Sequence, residues 1–545
     1  MLTRTANRTL LLFGFTLLLL LPAGSMPLME STEARYAEIA REMIVSGNYL
    51  EPHFNAIKHF HKPPLAYWLT VAGFKIFGLN NFGARFFCVL AAVLAVFYLY
   101  RTACMLLRNE KQALLASYIF SSSLLFLVVS RLASTEIYLV TCVVAAQFYL
   151  LRQAFGTRGW HNALFYGVFL GLGFAVKGPI IFLFTLLPGL VAKLFDSHHR
   201  HLFSWREVAI ASTAFSLIAL PWYLIVVIKN PGLLEYFLKV QTVDRVITDR
   251  FQRYEPPWYF FYIFAVTFFP YTLFLLKGLW NWKKLSEQLK PLLLYIALPM
   301  LVFSLVKGKH ATYILPFYGS CAILTAGMLA RDSMPRLRNL IAWLLLLLAL
   351  APAIAGFIYP PLRGVSAWLV LAGLVAFILW WQIWSVRRRE SYWGWIVVLM
   401  VFLSGVGIWG AGIAGPQMRG YQQMAAELNR RDPEQRMETL VFRGYLPSLS
   451  FYRNHLAVMA LSRKREIQFQ PEISYRPWYL SNNKELKAFL TDHPELFVVT
   501  RKKTLELFSE TYSYQCEPAF IQRKYSAYLC KSIPEPEGEN PLQSK

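Results

Sequence analysis

Long apolar runs separated by short polar segments dominate this chain. They fall near 9–24, 83–103, 112–130, 136–151, 161–177, 179–195, 207–228, 258–277, 290–306, 312–330, 338–358, 365–385 and 393–415. Each approaches the ~20 residues that cross a bilayer core. None shows the ~10-residue alternation of a membrane β-barrel strand, so the pattern predicts helices, about thirteen transmembrane crossings in all. After residue 415 the pattern changes. "ETLVFRGYL", "LSFYRN" and "ELFVVTR" read as short strands, and "GYQQMAAELNRR" and "NKELKAFLTDH" as helices. The expected fold class is therefore an α-helical polytopic membrane protein, residues 1–415, followed by a soluble C-terminal α/β domain, residues 416–545.

Composition sharpens this picture. Of 545 residues, 56% are hydrophobic and only 16% charged, against about 25% charged in soluble domains. The net charge of +24 raises the question of nucleic acid, but its distribution argues otherwise. Basic residues cluster between apolar runs, as at Arg101, Arg108 and Lys111, or "RRR" at 387–389. With a cytoplasmic N-terminus every inside loop is basic, which sets the orientation. Arg4, Arg8 and "PAGS" also fit a cleaved signal peptide; either way, residue 25 onward emerges outside. The C-terminal domain then lies outside too. There Cys516 and Cys530 are expected to pair as a disulfide, while Cys88, Cys104, Cys142 and Cys321 read as inert packing residues.

Two outer loops are large, 25–82 and 229–257. The first contains "STEARYAEIAREMI", a predicted helix capped by Ser31 or Thr32 with acids in its first turn. Ala34, Ala37, Ile39, Ala40 and Met43 give it a weakly apolar side, expected to rest on the membrane interface. Sixteen of the 31 acids precede residue 416, and none lies in the middle of a run. Ten of these sixteen face outward, as do Lys58, Lys62, Arg85, Arg131, Lys177, Lys307, Lys309 and His310. A transporter concentrates ionisable groups at mid-bilayer. This chain gathers them at one boundary, where a lipid head group and a water-soluble group both have access.

The segment "STEARYAEIAREMIVSGNYLEPHFNAIKHFHKPPLAYWL", followed by "FGLNNFGARF", resembles the first outer loop of the lipid A aminoarabinose transferases. These belong to the wider protein O-mannosyltransferase-like group of polyprenyl-phosphate-sugar glycosyltransferases. "AVKGPIIF" at 175–182, "PPWYFFY" at 256–262 and "KGKHATYILP" at 307–316 resemble the same family, and "GYLPSLSFYRN" extends the likeness weakly into the tail. The resemblance implies sugar transfer from undecaprenyl phosphate to an envelope acceptor, lipid A phosphate above all, at the outer face of a bacterial inner membrane. It implies no nucleotide sugar at the site. Transfer to protein hydroxyls is the enzymatic alternative; a lipid or polysaccharide transporter and a structural scaffold are the others.

The resemblance also implies roles for particular residues. Lys62, stiffened by Pro63 and Pro64, would hold the carrier phosphate; a lysine reaching to the interface is the plainer reading. Arg253 or Arg250 would supply a second cation, although Tyr254 stands where relatives often carry an arginine. Arg85, Lys309 and Tyr313 are further candidates for binding substrate. Where the family usually has an aspartate, this chain has Thr32 followed by Glu33. A second family carboxylate falls at Thr135, followed by Glu136. A longer glutamate one residue along returns a carboxylate to the same place, so Glu33 is the expected catalytic carboxylate with Glu136 as helper. Glu33 also fits a helix-start acid. No cofactor is certain. A divalent metal is possible at His61, with His53 and His59 nearby in sequence, and "HHRH" at 198–201 reads as a solvated basic loop.

Overall fold

The computed structural model describes residues 14–15, 20, 23–30, 32–195, 202–243, 255–329, 334–389, 391–418, 420–462 and 477–533. The first predicted span and the "HHRH" loop lie largely or wholly outside these residues. The chain forms two compact units. One comprises Met1–Met26 with Phe60–Ile413; the other joins Pro27–His59 to Ala414–Lys545. The first outer loop thus contributes helix α1 (Thr32–Ser46) and the hairpin β1 (His53–Phe54)/β2 (Ile57–Lys58) to the same unit as the tail. The sequence had grouped that loop with the membrane helices.

The first unit is helical. In chain order it holds α2 (Leu65–Phe77), α3 (Asn81–Leu107), α4 (Glu110–Ser122), α5 (Leu124–Val129), α6 (Thr135–Phe155), α7 (Trp160–Lys177), α8 (Ile180–Phe184), α9 (Leu186–Phe195) and α10 (Trp205–Lys229). There follow α11 (Tyr259–Thr267), α12 (Tyr271–Leu279), α13 (Leu292–Leu305), a 3₁₀ segment at Ala311–Phe317, α14 (Tyr318–Leu329), α15 (Pro335–Ile358), α16 (Ser366–Ser385) and the greater part of α17 (Tyr392–Met418), through Ile413. This is a multi-pass membrane architecture. Seven of the described helices are long and apolar enough to cross, or eight with α11 and α12 counted as one span bent by 117°. The sequence predicted thirteen. Several predicted spans are broken instead: extended Ser123 separates α4 from α5, Pro179 starts α8, and Thr185 ends it.

Local chemistry sets the helix ends. The Asn80 side chain accepts the Gly83 N–H at 2.8 Å, and Ser204 with Glu207 forms a reciprocal capping box. Small residues allow close crossings. A methyl group on Gly167 of α7 would sit 2.2 Å from the Ala211 carbonyl oxygen of α10. Helix α6 and the span ending in α14 are central, with 89% of their apolar windows buried. The corresponding figures for α16 and α17 are 17% and 22%, which leaves them facing lipid.

The second unit carries α18 (Gln422–Arg431), β3 (Thr439–Phe442), α19 (Pro447–Arg453), β4 (Val458–Ala460), β5 (Tyr479–Leu480), α20 (Asn483–Asp492), β6 (Glu495–Thr500), α21 (Lys502–Tyr512), β7 (Tyr514–Phe520) and β8 (Ser526–Ser532). Its sheet runs β5-β4-β3-β6-β8-β7. The first four strands are parallel, and the β8–β7 hairpin is antiparallel at one edge. "LSFYRN" is helix α19, not a strand. Pro447 suits its first turn, Asn454 ends it in the left-handed conformation, and burial is nearly continuous rather than alternating. The Cys516–Cys530 disulfide joins directly opposed residues of β7 and β8.

The apolar side of α1 is not a membrane-resting face. Ala34, Ala37, Ile39, Ala40 and Met43 are all buried, and α1 packs against α19 inside the second unit. The α/β core offers that stripe a partner, so burial there satisfies it.

Candidate functional site

Helices α6 and α7 are packed neighbours joined by a short turn, so the start of α6 lies beside the end of α7. Glu136 stands in the first turn of α6 and Lys177 in the last turn of α7. The Lys177 Nζ donates to Glu136 Oε2 at 2.5 Å, with both side chains largely withdrawn from solvent. The same ammonium lies 5.1 Å from the centre of the Tyr313 ring, a cation–π contact. Lys62 and His310 are near enough to act electrostatically on the Glu136 carboxylate. His310 Nδ1 is 2.8 Å from Thr312 Oγ1, and its ring lies 5.9 Å from that of Tyr313. The first unit therefore gathers one carboxylate, two lysines, a histidine and a tyrosine at one end of its central helices. The positive charge exceeds the negative, which suits a phosphate.

Neighbouring candidates serve the frame around this cluster. Lys309 is buried and donates to the Val306 carbonyl at 2.5 Å and the Glu255 carbonyl at 3.0 Å. It thereby closes the turn that carries His310 and Tyr313. Arg85 is also buried, and its Nη1 donates to the carbonyls of Ala23 and Met26 at 2.7 and 2.6 Å. The His61 ring stacks on Tyr236 at 6.4 Å. Among the described residues no group of three His, Cys, Asp or Glu side chains converges as a metal site requires. Arg250 and Arg253 lie outside the described residues.

Residues 11–237 match the family model for dolichyl-phosphate-mannose-protein mannosyltransferase. Over that segment the chain is similar to this family. The match spans Lys62, Glu136 and Lys177, and the His310–Tyr313 turn lies beyond it. Among curated relatives, undecaprenyl phosphate-alpha-4-amino-4-deoxy-L-arabinose arabinosyl transferase 2 of Proteus mirabilis is 32% identical over 58% of each chain. The arabinosyl transferase of Pectobacterium carotovorum is 32% identical over 64% of this chain and 65% of its own. The chain thus spans about three fifths of the length of the curated relatives it matches. The crystal structure of ArnT from Cupriavidus metallidurans bound to undecaprenyl phosphate has the same fold. Its TM-score is 0.83 at 18% identity, covering 96% of this chain and 97% of that one.

The other expected catalytic residues belong to the second unit. Thr32 is exposed at the first position of α1. Glu33 is buried, and its Oε2 accepts the Met29 N–H at 3.0 Å, holding the chain at the helix start. The remaining acids of this segment are structural. Glu38 holds Arg41 through two bonds of 2.7 and 2.8 Å, and Arg41 reaches the Asn454 side chain at 3.1 Å. Glu30 accepts the Ser448 N–H at 2.8 Å and its hydroxyl at 2.5 Å. Glu42 accepts the N–H groups of Asn55 and Ala56 at 2.6 and 2.8 Å, two residues with positive φ. Burial pushes the carboxyls of Glu30 and Glu42 up to about 8, the Glu38 charge adding to the effect at Glu42. Burial also holds the His59 imidazole well below its usual value; it is a buried neutral residue in the second unit.

By sequence, Lys177 and His310 stand only among the outward-facing cations. Their place beside Glu136 was missed. The available signal was that both sit in motifs already singled out, "AVKGPIIF" and "KGKHATYILP".

Proposed function

We propose that this protein is an integral-membrane glycosyltransferase that moves a sugar from undecaprenyl phosphate to an envelope acceptor, with a lipid A phosphate as the preferred acceptor. The observation that carries this reading is the cation-rich cluster of Lys62, Lys177, His310 and Tyr313 around Glu136. It supports a phosphate site at one end of the helices of a family member. Lys62 and Lys177 bind the carrier phosphate and stabilise the charge it gains as it leaves. Glu136 positions the Lys177 ammonium.

In the reaction, the bond between the anomeric carbon and the carrier phosphate oxygen breaks, and undecaprenyl phosphate departs with the electron pair. A bond forms from the acceptor oxygen to the same carbon. An ionised acceptor phosphate needs no proton removed. A hydroxyl acceptor does, and Glu33 is the carboxylate proposed for that task. The cluster and the C-terminal domain are assigned to the periplasmic side of the inner membrane, in keeping with the basic loops.

The deciding experiment is mass spectrometry of lipid A and envelope glycans from cells with and without the protein. A sugar added to lipid A phosphate only in its presence is the expected result. Sugar found instead on protein hydroxyls would move the acceptor to protein. No change in any glycan would overturn the transferase reading.

A further inference from the structure

A second cationic site lies in the first unit, at the far end of α14 from the cluster just described. Arg338, in the first turn of α15, is only 8% exposed. Its Nε is buried and has no hydrogen-bond partner, and its Nη1 reaches the Arg389 carbonyl only at 3.4 Å. The guanidinium lies against the rings of Tyr392 and Trp393 at 5.4 and 5.2 Å, and the Tyr392 hydroxyl donates to the Arg338 carbonyl at 3.1 Å. On the adjoining end of α16, Arg387 stacks over Trp384 at 4.1 Å, and its Nε donates to the side chain of Asn339. Arg388 and Arg389 follow, both exposed. Among the described residues no carboxylate forms an ion pair with Arg338, Arg387, Arg388 or Arg389. Asp332 and Glu390, the nearest acids in sequence, lie outside the described residues.

A guanidinium withdrawn from water without an anion is costly, and buried charges are ordinarily paired. Here the ends of three spans bring together several arginines, and two of these helices, α15 and α17, point their N-terminal, partially positive ends the same way. The surroundings suit a lipid. Trp343, Trp380 and Trp384 pack together near these helix ends, and Trp343 and Trp381 are exposed there, as tryptophans at a membrane interface are. The three spans are mostly open to lipid.

We propose that Arg338, Arg387 and Arg389 form a binding site for the phosphate of an anionic phospholipid, walled by Tyr392 and Trp393. Arg338 offers the paired donors that match phosphate oxygens, and the acyl chains lie along the exposed faces of α15 and α16. This site is independent of the donor site and of the transferase reading.

The test uses the full chain in detergent, titrated with phosphatidylglycerol, phosphatidylcholine or inorganic phosphate. Bound lipid is read by native mass spectrometry and protection by the shift in Tm. One phosphatidylglycerol per chain should be retained in preference to phosphatidylcholine. Arg338→Gln should lower its affinity about ten-fold, as expected for loss of a charge-assisted pair, and Arg387→Gln several-fold. Lys62→Ala should leave it unchanged. If Arg338→Gln does not fold, the Arg387→Gln/Arg389→Gln double variant decides. Equal retention of phosphatidylcholine, or unaltered phosphatidylglycerol binding in the folded variants, overturns the site. Protection by inorganic phosphate alone, matching that by the lipid, overturns the lipid as its ligand.

Discussion

The tripeptide Ser-Thr-Glu occurs at 31–33 and again at 134–136, and both copies open a helix. Their carboxylates have different surroundings. Glu33 turns back to its own chain and accepts the Met29 N–H. Glu136 faces another helix and holds Lys177. Local sequence makes each a helix-start acid; for Glu136, a lysine that arrives from elsewhere in the chain makes it half of an ion pair. The same contrast separates the two units. In the first, acid meets base beside a lysine and a tyrosine suited to a phosphate. In the second, Glu38 holds Arg41, which reaches Asn454 at the end of α19, and Glu42 fastens the turn at Asn55 and Ala56.

The comparison is broken most sharply at Glu33. If it acts on the acceptor as the family resemblance implies, Glu33→Gln is expected to lower turnover about 10²–10⁴-fold with little change in Tm, because the amide oxygen still accepts from Met29. Turnover within a few-fold of wild type would confine Glu33 to the helix start and leave Glu136 as the carboxylate that matters. Reduction of Cys516–Cys530 should destabilise the second unit by about 3 kcal/mol, the chain-entropy value for a loop of this length, and leave the first unit intact. Parallel unfolding of both units, followed by limited proteolysis, would contradict that independence.

Lys62→Ala should raise the donor KM about 10–100-fold, equivalent to the ~1.5–3 kcal/mol of a charge-assisted hydrogen bond. An unchanged donor affinity removes Lys62 from the phosphate site. The smallest effect concerns pH. Glu42 titrates at about 8 in the folded unit against 4.5 for the free side chain, so the folded state holds the extra proton between those values. The stability it contributes is full below about pH 4.5 and is lost as pH rises through 8. The Tm of the second unit should fall by several degrees between pH 5 and 8, and Glu42→Gln should flatten part of that slope. A slope identical in wild type and variant would show that Glu42 does not titrate in this range.

Much was determined by the sequence alone. Apolar runs of bilayer length require helices, because no other open backbone satisfies its own hydrogen bonds in lipid. The change of pattern after residue 415 marks the α/β tail, and the spacing of Cys516 and Cys530 in it suggested their bridge. The motifs carrying Lys62, Glu136, Lys177 and Tyr313 were also visible as motifs. Pairing was not. Glu136 and Lys177 are 41 residues apart, and they meet because α6 and α7 run antiparallel as packed neighbours, a fact of assembly that no local pattern encodes. Nor did periodicity reveal where α1 belongs. Its alanine-rich stripe is equally suited to a membrane surface and to a protein core, and only the presence of α19 against it decides between them. "LSFYRN" went astray for the same reason: a short buried run looks alike as strand or helix until its ends and its neighbours are known.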